Sequence, residues 1–280
     1  MKYLKYDIDA LHTVLYEILG EIHRICEKYK IPYFLIGGSA IGLFYDGAIL
    51  PWDDDVDIAM TRENYNRFID VAQRELSSQY FLSTITTDVH SPFFYTKVKK
   101  NQTLFVEERY KDLSMHHGIF VDIFPIDKMP IKGLLRRLQY RVANFLKCCL
   151  MSKEVWMWEY FGNCQIESPL PRSRMACFVN KIVNICLTKN AINRLLIMVS
   201  TAFNKSNVMS WGSVVTTTDY VSTDELGAIQ EVSFGPIKTY SIINLESFLL
   251  RNFPTLHRYT DEEVSSKGCN HAPLKLSFNE

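Results

Sequence analysis

Four aspartates, Asp53, Asp54, Asp55 and Asp57, crowd into the run Pro51-Trp52-Asp53-Asp54-Asp55-Val56-Asp57-Ile58-Ala59-Met60. A β-strand sends alternate side chains to opposite faces. Read as a strand, the run puts Asp55, Asp57 and Ala59 on one side and Val56, Ile58 and Met60 on the other. The apolar side can anchor in a core while both carboxylates face a cleft. Two ionised carboxylates held so close repel, and burying them unpaired is costly. A divalent cation removes that conflict, because carboxylate oxygens on a rigid strand are the hard ligands that Mg²⁺ (or Mn²⁺) takes, with substrate phosphates filling its shell. Asp122, inside the apolar run Gly118-Ile119-Phe120-Val121-Asp122-Ile123-Phe124, is the candidate third ligand. Asp127 lies past Pro125 and reads as part of a turn, while Asp53 and Asp54, beside Trp52, read as well as a solvated loop or helix cap as they do as part of the site.

Upstream, Gly37-Gly38-Ser39 follows the short apolar strand Pro32–Ile36. Glycines there let a phosphate approach backbone N–H groups, and a helix opening at Ser39–Tyr45 would add a favourable partial charge for an anion. Lys97 and Lys99 share one face of the strand 93–100. Lys97 is the candidate for a further phosphate contact, with a solvated edge-strand lysine as the alternative. His271, between Asn270 and Ala272, reads by itself as a surface residue.

These residues need elements to hold them. Leu11, Val14, Leu15, Ile18, Ile22 and Ile25 predict a helix over 7–29, and Thr61 caps a second one carrying Phe68, Ile69, Ala72 and Leu76. Strands are expected at 79–86, 93–100 and 118–127, the last stopped by Pro125. From 131 to about 215 the pattern turns helical, and 221–280 returns to short strands with a helix near 244–252. The simplest division is an α/β catalytic core at 1–130, a helical insert at 131–220 and a C-terminal segment at 221–280 packing on the core. In the insert, 132–150 sorts on a helical wheel. Leu134, Leu135, Leu138, Val142, Phe145, Leu146 and Cys149 share one arc, and Arg136, Arg137, Arg141 and Lys147 the other. Such a helix either packs its apolar arc into a core or lies on an anionic membrane surface.

The 280-residue chain is 47% hydrophobic and carries no net charge, a globular composition that argues against nucleic-acid binding through a global basic field. No secretory signal and no spanning apolar run is visible, and seven cysteines without a CxxC pair read as reduced thiols, so a cytoplasmic protein is expected, with contact at the inner membrane face through 132–150 as the sharper reading.

The run Gly37–Met60 followed by Gly118–Asp127 resembles the LicD family of the nucleotidyltransferase superfamily, related to the fukutin proteins. The Pro-Trp-Asp-Asp-Asp-hydrophobic-Asp and hydrophobic-Asp-Ile-Phe-Pro-hydrophobic-Asp runs carry the likeness over roughly 10–130. Residues 241–254 and His271 are similar to the family's closing helix and terminal histidine. The chain departs at Tyr45-Asp46, where family members usually carry a basic pair. The resemblance implies an α+β fold: a nucleotidyltransferase-like mixed sheet flanked by helices, with a helical insert and a C-terminal α/β segment. It further implies a metal site at Asp55, Asp57 and Asp122, with Gly38 and Ser39 at the donor phosphates. The implied activity is transfer of a phosphorylated alcohol such as phosphocholine from a CDP-linked donor to a glycan or its lipid-linked precursor, releasing CMP. A nucleotidyltransferase releasing pyrophosphate and a non-catalytic nucleotide-binding protein remain the alternatives.

Overall fold

Local sequence signals account for most element boundaries in the computed structural model, which describes residues 7–154, 174–214, 219–260, 262–263 and 271–279. Helix α1 (Ile8–Tyr29) starts where the Asp7 carboxylate accepts the Ala10 N–H at 3.0 Å, and ends at Lys30 in the left-handed region. Its stripe of Leu11, Leu15, Ile18, Ile22 and Ile25 is wholly buried. Strand β1 (Phe34–Leu35) leads into α2 (Gly37–Asp46), and β2 (Asp57–Thr61) into α3 (Arg62–Glu75), which Thr61 caps as expected. Strands β3 (Tyr80–Ser83), β4 (Thr96–Lys100), β5 (Leu104–Val106) and β6 (Phe120–Lys128) follow. Helices α4 (Leu134–Met151), α5 (Arg174–Cys186) and α6 (Lys189–Ser200) come next. The remainder is β7 (Ser210–Gly212), β8 (Val221–Ser222), a one-turn α7 (Thr223–Leu226), β9 (Ile229–Phe234), β10 (Ile237–Ile242), α8 (Leu245–Asn252) and β11 (Lys275–Ser277).

The main sheet runs β1-β2-β6-β4-β3, with β7 on the far end of β6 and β8 beside it. Strands β2 and β6 are parallel and the other pairs antiparallel, so the fold is α+β with a mixed sheet. Phe234, Ile242, Phe248 and Leu249 bury themselves in the same core as α1 and the sheet, which ties the C-terminal elements to it.

Pro125 does not stop β6. The Asp122 N–H donates to Val56 O, so every second amide of β6 faces β2 and the nitrogen of Pro125 faces the β4 side. Pairing with β4 has already ended at Ile123, and the missing N–H leaves no carbonyl without a donor. The strand therefore runs on to Lys128, and Asp127 is a strand residue rather than part of a turn. It is buried, with its Oδ2 2.6 Å from Arg62 Nη2 and Asn204 donating to its Oδ1.

The first two turns of α4 invert the usual burial of an amphipathic helix. Leu134, Leu135 and Leu138 are 80%, 60% and 57% exposed, whereas Arg136 and Gln139 are buried. Arg136 donates to the Tyr220 hydroxyl, and Gln139 to the Val199 carbonyl at the end of α6. Only the second half of α4 packs its apolar residues inward, where Leu146, Cys149 and Leu150 join Ile192 and Leu196 in a smaller core.

Candidate active site

Register fixes the centre of the site. Parallel pairing of β2 with β6 sets Asp57 opposite Asp122, and antiparallel pairing of β4 with β6 sets Lys97 opposite the same Asp122. Cross-strand partners point to one face, so the three charged groups form a row over the middle of the sheet. Lys97 is not a solvated edge lysine, because β4 is paired on both sides and the side chain is buried. Its Nζ sits 2.9 Å from Asp122 Oδ2 and 3.4 Å from the Phe120 ring centroid. Lys99, on the same face, is also buried and donates to Asp88 and the His116 carbonyl.

The loop before β2 brings three more carboxylates. Asp53, Asp54 and Asp55 are all buried, so neither Asp53 nor Asp54 is a solvated loop residue. Asp54 holds the C-terminal segment: its carboxylate accepts the N–H groups of His271 and Ala272 at 3.1 and 3.0 Å, and lies 3.2 Å from His271 Nδ1. The same Nδ1 is 3.5 Å from Asp55 Oδ2. Strand β11, pairing with β5, delivers His271 to this place, where its ring meets Phe105 and Phe120 edge-on. His271 is thus no loose surface residue, and nothing in its own neighbourhood of sequence announces the contact.

The glycine turn becomes the N-terminus of α2. Gly37, at φ 55°, donates its N–H to Asp219 Oδ1, and the Ser39 hydroxyl accepts the Asp57 N–H at 2.9 Å. Ser39 thereby fastens the metal-type strand to the helix that would face a phosphate. At Gly38 a Cβ would stand 2.4 Å from Asp53 Oδ2, so a side chain there would displace that carboxylate. Asp219, itself buried, is the site residue that sequence reasoning missed; no periodicity or motif marks it. Trp52 is buried beside the cluster and meets the Tyr259 ring edge-on at 4.5 Å.

The electrostatics are those of an under-compensated anion cluster. Burial, then the charges of Asp55 and Asp54, push the Asp53 carboxyl up to about 8. Burial raises Asp55 to about 6, with His271 opposing and Asp122 adding to the rise. Asp57 is raised well above the carboxylate range by burial and then by Asp55 and Asp122. Burial alone would lower His271, but the Asp54 hydrogen bond and the Asp55 charge outweigh it and lift it to about 9.

The donor set therefore fits a hard divalent cation: oxygen ligands, buried, on adjacent strands and short of positive charge. Two groups are candidates, one by side-chain distance and the other, Asp57 with Asp122, by strand register. Among the described residues, Asp54, Asp55 and His271 bring their ligand atoms within 4.8 Å of one another. That group, however, already has Asp54 saturated by N–H donors and a histidine favoured in its cationic form, which repels a metal. On the other side Asp57 stands opposite Asp122, which Lys97 pairs, and burial together with the Asp55 and Asp122 charges raises the Asp57 carboxyl.

Residues 30–142, which contain the glycine turn and the whole aspartate row, match the nucleotidyltransferase domain described as LicD/FKTN/FKRP. This segment is similar to the LicD family domain across its glycine turn and aspartate row. The chain is 32% identical over 151 residues to the lipopolysaccharide cholinephosphotransferase LicD of Haemophilus influenzae, covering 50% of this chain and 55% of that protein. It is 23% identical over 130 residues to a Rickettsia typhi protein of no stated activity, covering 46% of this chain and 40% of the other. The chain thus spans about half the length of the curated relatives it matches. His271, Asp219 and Tyr259 lie outside the matched LicD segment, so the site is assembled from the family domain and from later chain.

Proposed function

We propose that the chain is a Mg²⁺- or Mn²⁺-dependent phosphotransferase, moving a phosphorylated alcohol from a CDP-linked donor to a sugar hydroxyl of a glycan or its lipid-linked precursor. The observation that supports this most is the side-by-side placement of Asp57 and Asp122 on parallel strands, facing the N-terminus of α2. A bound divalent cation would supply charge compensation on the diphosphate oxygens and lower the cost of developing charge in transfer. Asp55, Asp57 and Asp122 would hold it. The acceptor hydroxyl attacks the β-phosphorus, and the P–O bond to CMP breaks. CMP leaves with the bridging oxygen, and the hydroxyl proton passes to a carboxylate of the row, for which Asp122 is our candidate. Lys97 orients Asp122, and Gly38 and Ser39 at the start of α2 present backbone N–H groups to the phosphates.

The named activity of the Haemophilus relative supports phosphocholine as the transferred group and a lipopolysaccharide-type glycan as the acceptor. Among the described residues no helix is long and apolar enough to cross a membrane. Contact with the cytoplasmic membrane face through 132–150 is part of the proposal, supported by the exposed Leu134, Leu135 and Leu138 beside Arg137 and Arg141. The test is incubation with Mg²⁺ and a panel of CDP-alcohols, with and without glycan acceptor, scoring CMP. Acceptor-dependent CMP release that Asp57→Asn abolishes is the expected result. Pyrophosphate from CTP and a small-molecule acceptor would instead establish a nucleotidyltransferase, and nucleotide binding without either product a binding protein.

A further inference from the structure

The row of charges over the sheet has two ends. At the β2 end the Ser39 hydroxyl of α2 accepts the Asp57 N–H, which sets the α2 N-terminus beside Asp57. The other end is Lys97 on β4, with Asp122 of β6 between them. In-line displacement puts the attacking oxygen opposite the leaving one. With the donor phosphates at the α2 N-terminus, the acceptor hydroxyl has to come from the β4 side. Phe93 and Tyr95, just before β4, stand there. Lys97 Nζ is 4.4 Å from the Phe93 ring centroid and 5.4 Å from that of Tyr95. The Tyr95 ring lies against Phe124, which shares a face of β6 with Asp122, with centroids 4.4 Å apart. Burial, then the charges of Asp122 and, further down, Asp57 and Glu107, hold the Tyr95 hydroxyl well above its ordinary pKa. That hydroxyl therefore sits within the field of the carboxylate row.

The same two rings wall a cavity of about 150 Å³, room for about one six-membered ring. Tyr110 meets Phe93 edge-on at 5.2 Å on its far side, and Arg109 and Lys147 complete the lining. Every lining residue belongs to a described segment, and none is a carboxylate. Lys147 is the informative one. The wheel of α4 sets it on the polar arc, yet it is half-buried and faces the cavity. Burial lowers its pKa; Cys148 opposes that, and the like charge of Arg109 adds to it. Among the described residues no carboxylate figures in the charges acting on Lys147. Two cations beside an aromatic slot fit a ring that carries a negative group. The flat faces pack against ring C–H groups, and the anion supplies the opposite charge that the buried amine lacks. The slot is thus the electrostatic reverse of the aspartate row.

We propose that the acceptor enters from the β4 side, that its sugar ring packs on Phe93 and Tyr95, and that Lys147 and Arg109 select a ring bearing an anionic substituent, phosphate or carboxylate. The inference rests on the phosphotransferase reading above and names the acceptor class for it. Tyr95 belongs to both the slot and the neighbourhood of Asp122, so a sugar held there has a hydroxyl within reach of the candidate base. Lys147 lies just past the matched LicD segment, which ends at residue 142. The charge of the acceptor is therefore read by the insert, while the shared domain supplies the carboxylate row.

The experiment measures binding of glucose 6-phosphate, glucuronate and glucose to the full chain in Mg²⁺ by titration calorimetry. The proteins are wild type, Lys147→Gln, Lys147→Arg, Phe93→Leu and Asp57→Asn. At least one acidic sugar should bind wild type about tenfold more tightly than glucose, and which of the two binds better tells phosphate from carboxylate. Lys147→Gln should erase that preference, Lys147→Arg should keep it, and Phe93→Leu should weaken all three sugars alike. Thermal melts separate loss of the slot from loss of the fold. If Lys147→Gln melts early, Arg109→Gln takes its place and should cut the preference about twofold to threefold. No measurable binding of either acidic sugar, equal binding of all three, or a preference that survives Lys147→Gln overturns the proposal. So does a preference lost in Asp57→Asn but kept in Lys147→Gln, which would put the anion on the metal. The binding readout stands apart from turnover. Acidic-sugar selectivity without CMP release from any CDP-alcohol would remove the transferase reading and leave the sugar site, whereas CMP release with acidic and neutral sugars alike would do the reverse.

Discussion

Two regions of this molecule break the rule that charge goes outside and hydrocarbon inside, and they break it in opposite directions. Around β2 and β6, Asp53, Asp54, Asp55, Asp122 and Lys97 are buried. On the first turns of α4, Leu134, Leu135 and Leu138 are exposed while Arg136 and Gln139 are buried. The buried charges are only partly matched: Lys97 serves Asp122 and His271 serves Asp54 and Asp55, yet Asp53, Asp55 and Asp57 still have raised pKa values. The buried polar groups of α4 reach Tyr220 and Val199, while Gln139 Oε1 and Asn144 Nδ2 find no hydrogen-bond partner among the described residues. Unrelieved charge in the interior asks for a ligand that carries the opposite charge. Exposed leucines on one helix face ask for an apolar surface instead. In our proposal the first region is the reaction centre and the second the place of attachment.

That contrast can be broken by substitution. The largest effect is expected at Asp57. Asp57→Asn should cut CMP release on the order of a thousandfold while the protein still folds, as circular dichroism and a thermal melt would record; a variant with near wild-type turnover breaks the assignment. Next comes Lys97. Lys97→Met leaves Asp122 buried without its partner and should cost about 3–5 kcal/mol in urea unfolding of the metal-free protein, with part of the loss recovered in Lys97→Met/Asp122→Asn. A Lys97→Met protein as stable as wild type would mean that the row is not a coupled unit.

The third effect is a pH dependence whose sign follows from the carboxyls. Asp55 moves from 3.8 to about 6 and Asp53 from 3.8 to about 8 on folding, so the folded state binds protons more tightly than the unfolded chain. Stability of the metal-free protein should therefore fall as pH rises from about 4 to about 8, and level off above that for these groups. His271, raised to about 9 from 6.5, acts in the same direction, its contribution being lost between those values. Asp55→Asn should gain about 1–3 kcal/mol over wild type at pH 8 without metal, and Mg²⁺ should stabilise wild type more at pH 8 than at pH 5. A metal-free melting temperature that rises with pH would contradict the charge excess. The smallest effect belongs to α4: Leu134→Gln/Leu138→Gln should change stability by no more than about 0.5 kcal/mol per site, yet lower co-sedimentation with anionic vesicles. Loss of stability without loss of vesicle binding would show that the leucines pack within the protein.

Alternation with apolar neighbours picked out Asp57 and Asp122, which the register of β2 with β6 sets opposite each other. The expected pairing of Asp55 with Asp57 on one strand does not hold, since β2 begins at Asp57 and Asp55 lies in the loop before it. Apolar periodicity marked α1 and the Thr61 cap marked α3, because these signals are local. Pro125 misled for a physical reason: whether a proline ends a strand depends on which neighbour its nitrogen faces, and that is decided by the pairing of β6 with β4. The wheel of 132–150 sorted the residues correctly into arcs but could not say which arc turns inward. Arg136 and Gln139 go inside only because Tyr220 and the end of α6 are there to receive them. Asp219, and the clasp between His271 and Asp54, join positions 182 and 217 residues apart with no pattern linking them, and are visible only in three dimensions. Parts of the insert at 155–173 fall outside the described residues.

Manganese titration followed by electron paramagnetic resonance, at pH 8 with and without CDP-choline, tests the central claim most directly. Wild type should bind the ion, CDP-choline should tighten it, and Asp57→Asn and Asp122→Asn should each weaken it at least tenfold. His271→Gln should retain it, since that histidine is a clasp and not a ligand. Binding that survives Asp57→Asn and Asp122→Asn but is lost in His271→Gln would place the ion among Asp54, Asp55 and His271, and the row across β2 and β6 would no longer be the reaction centre.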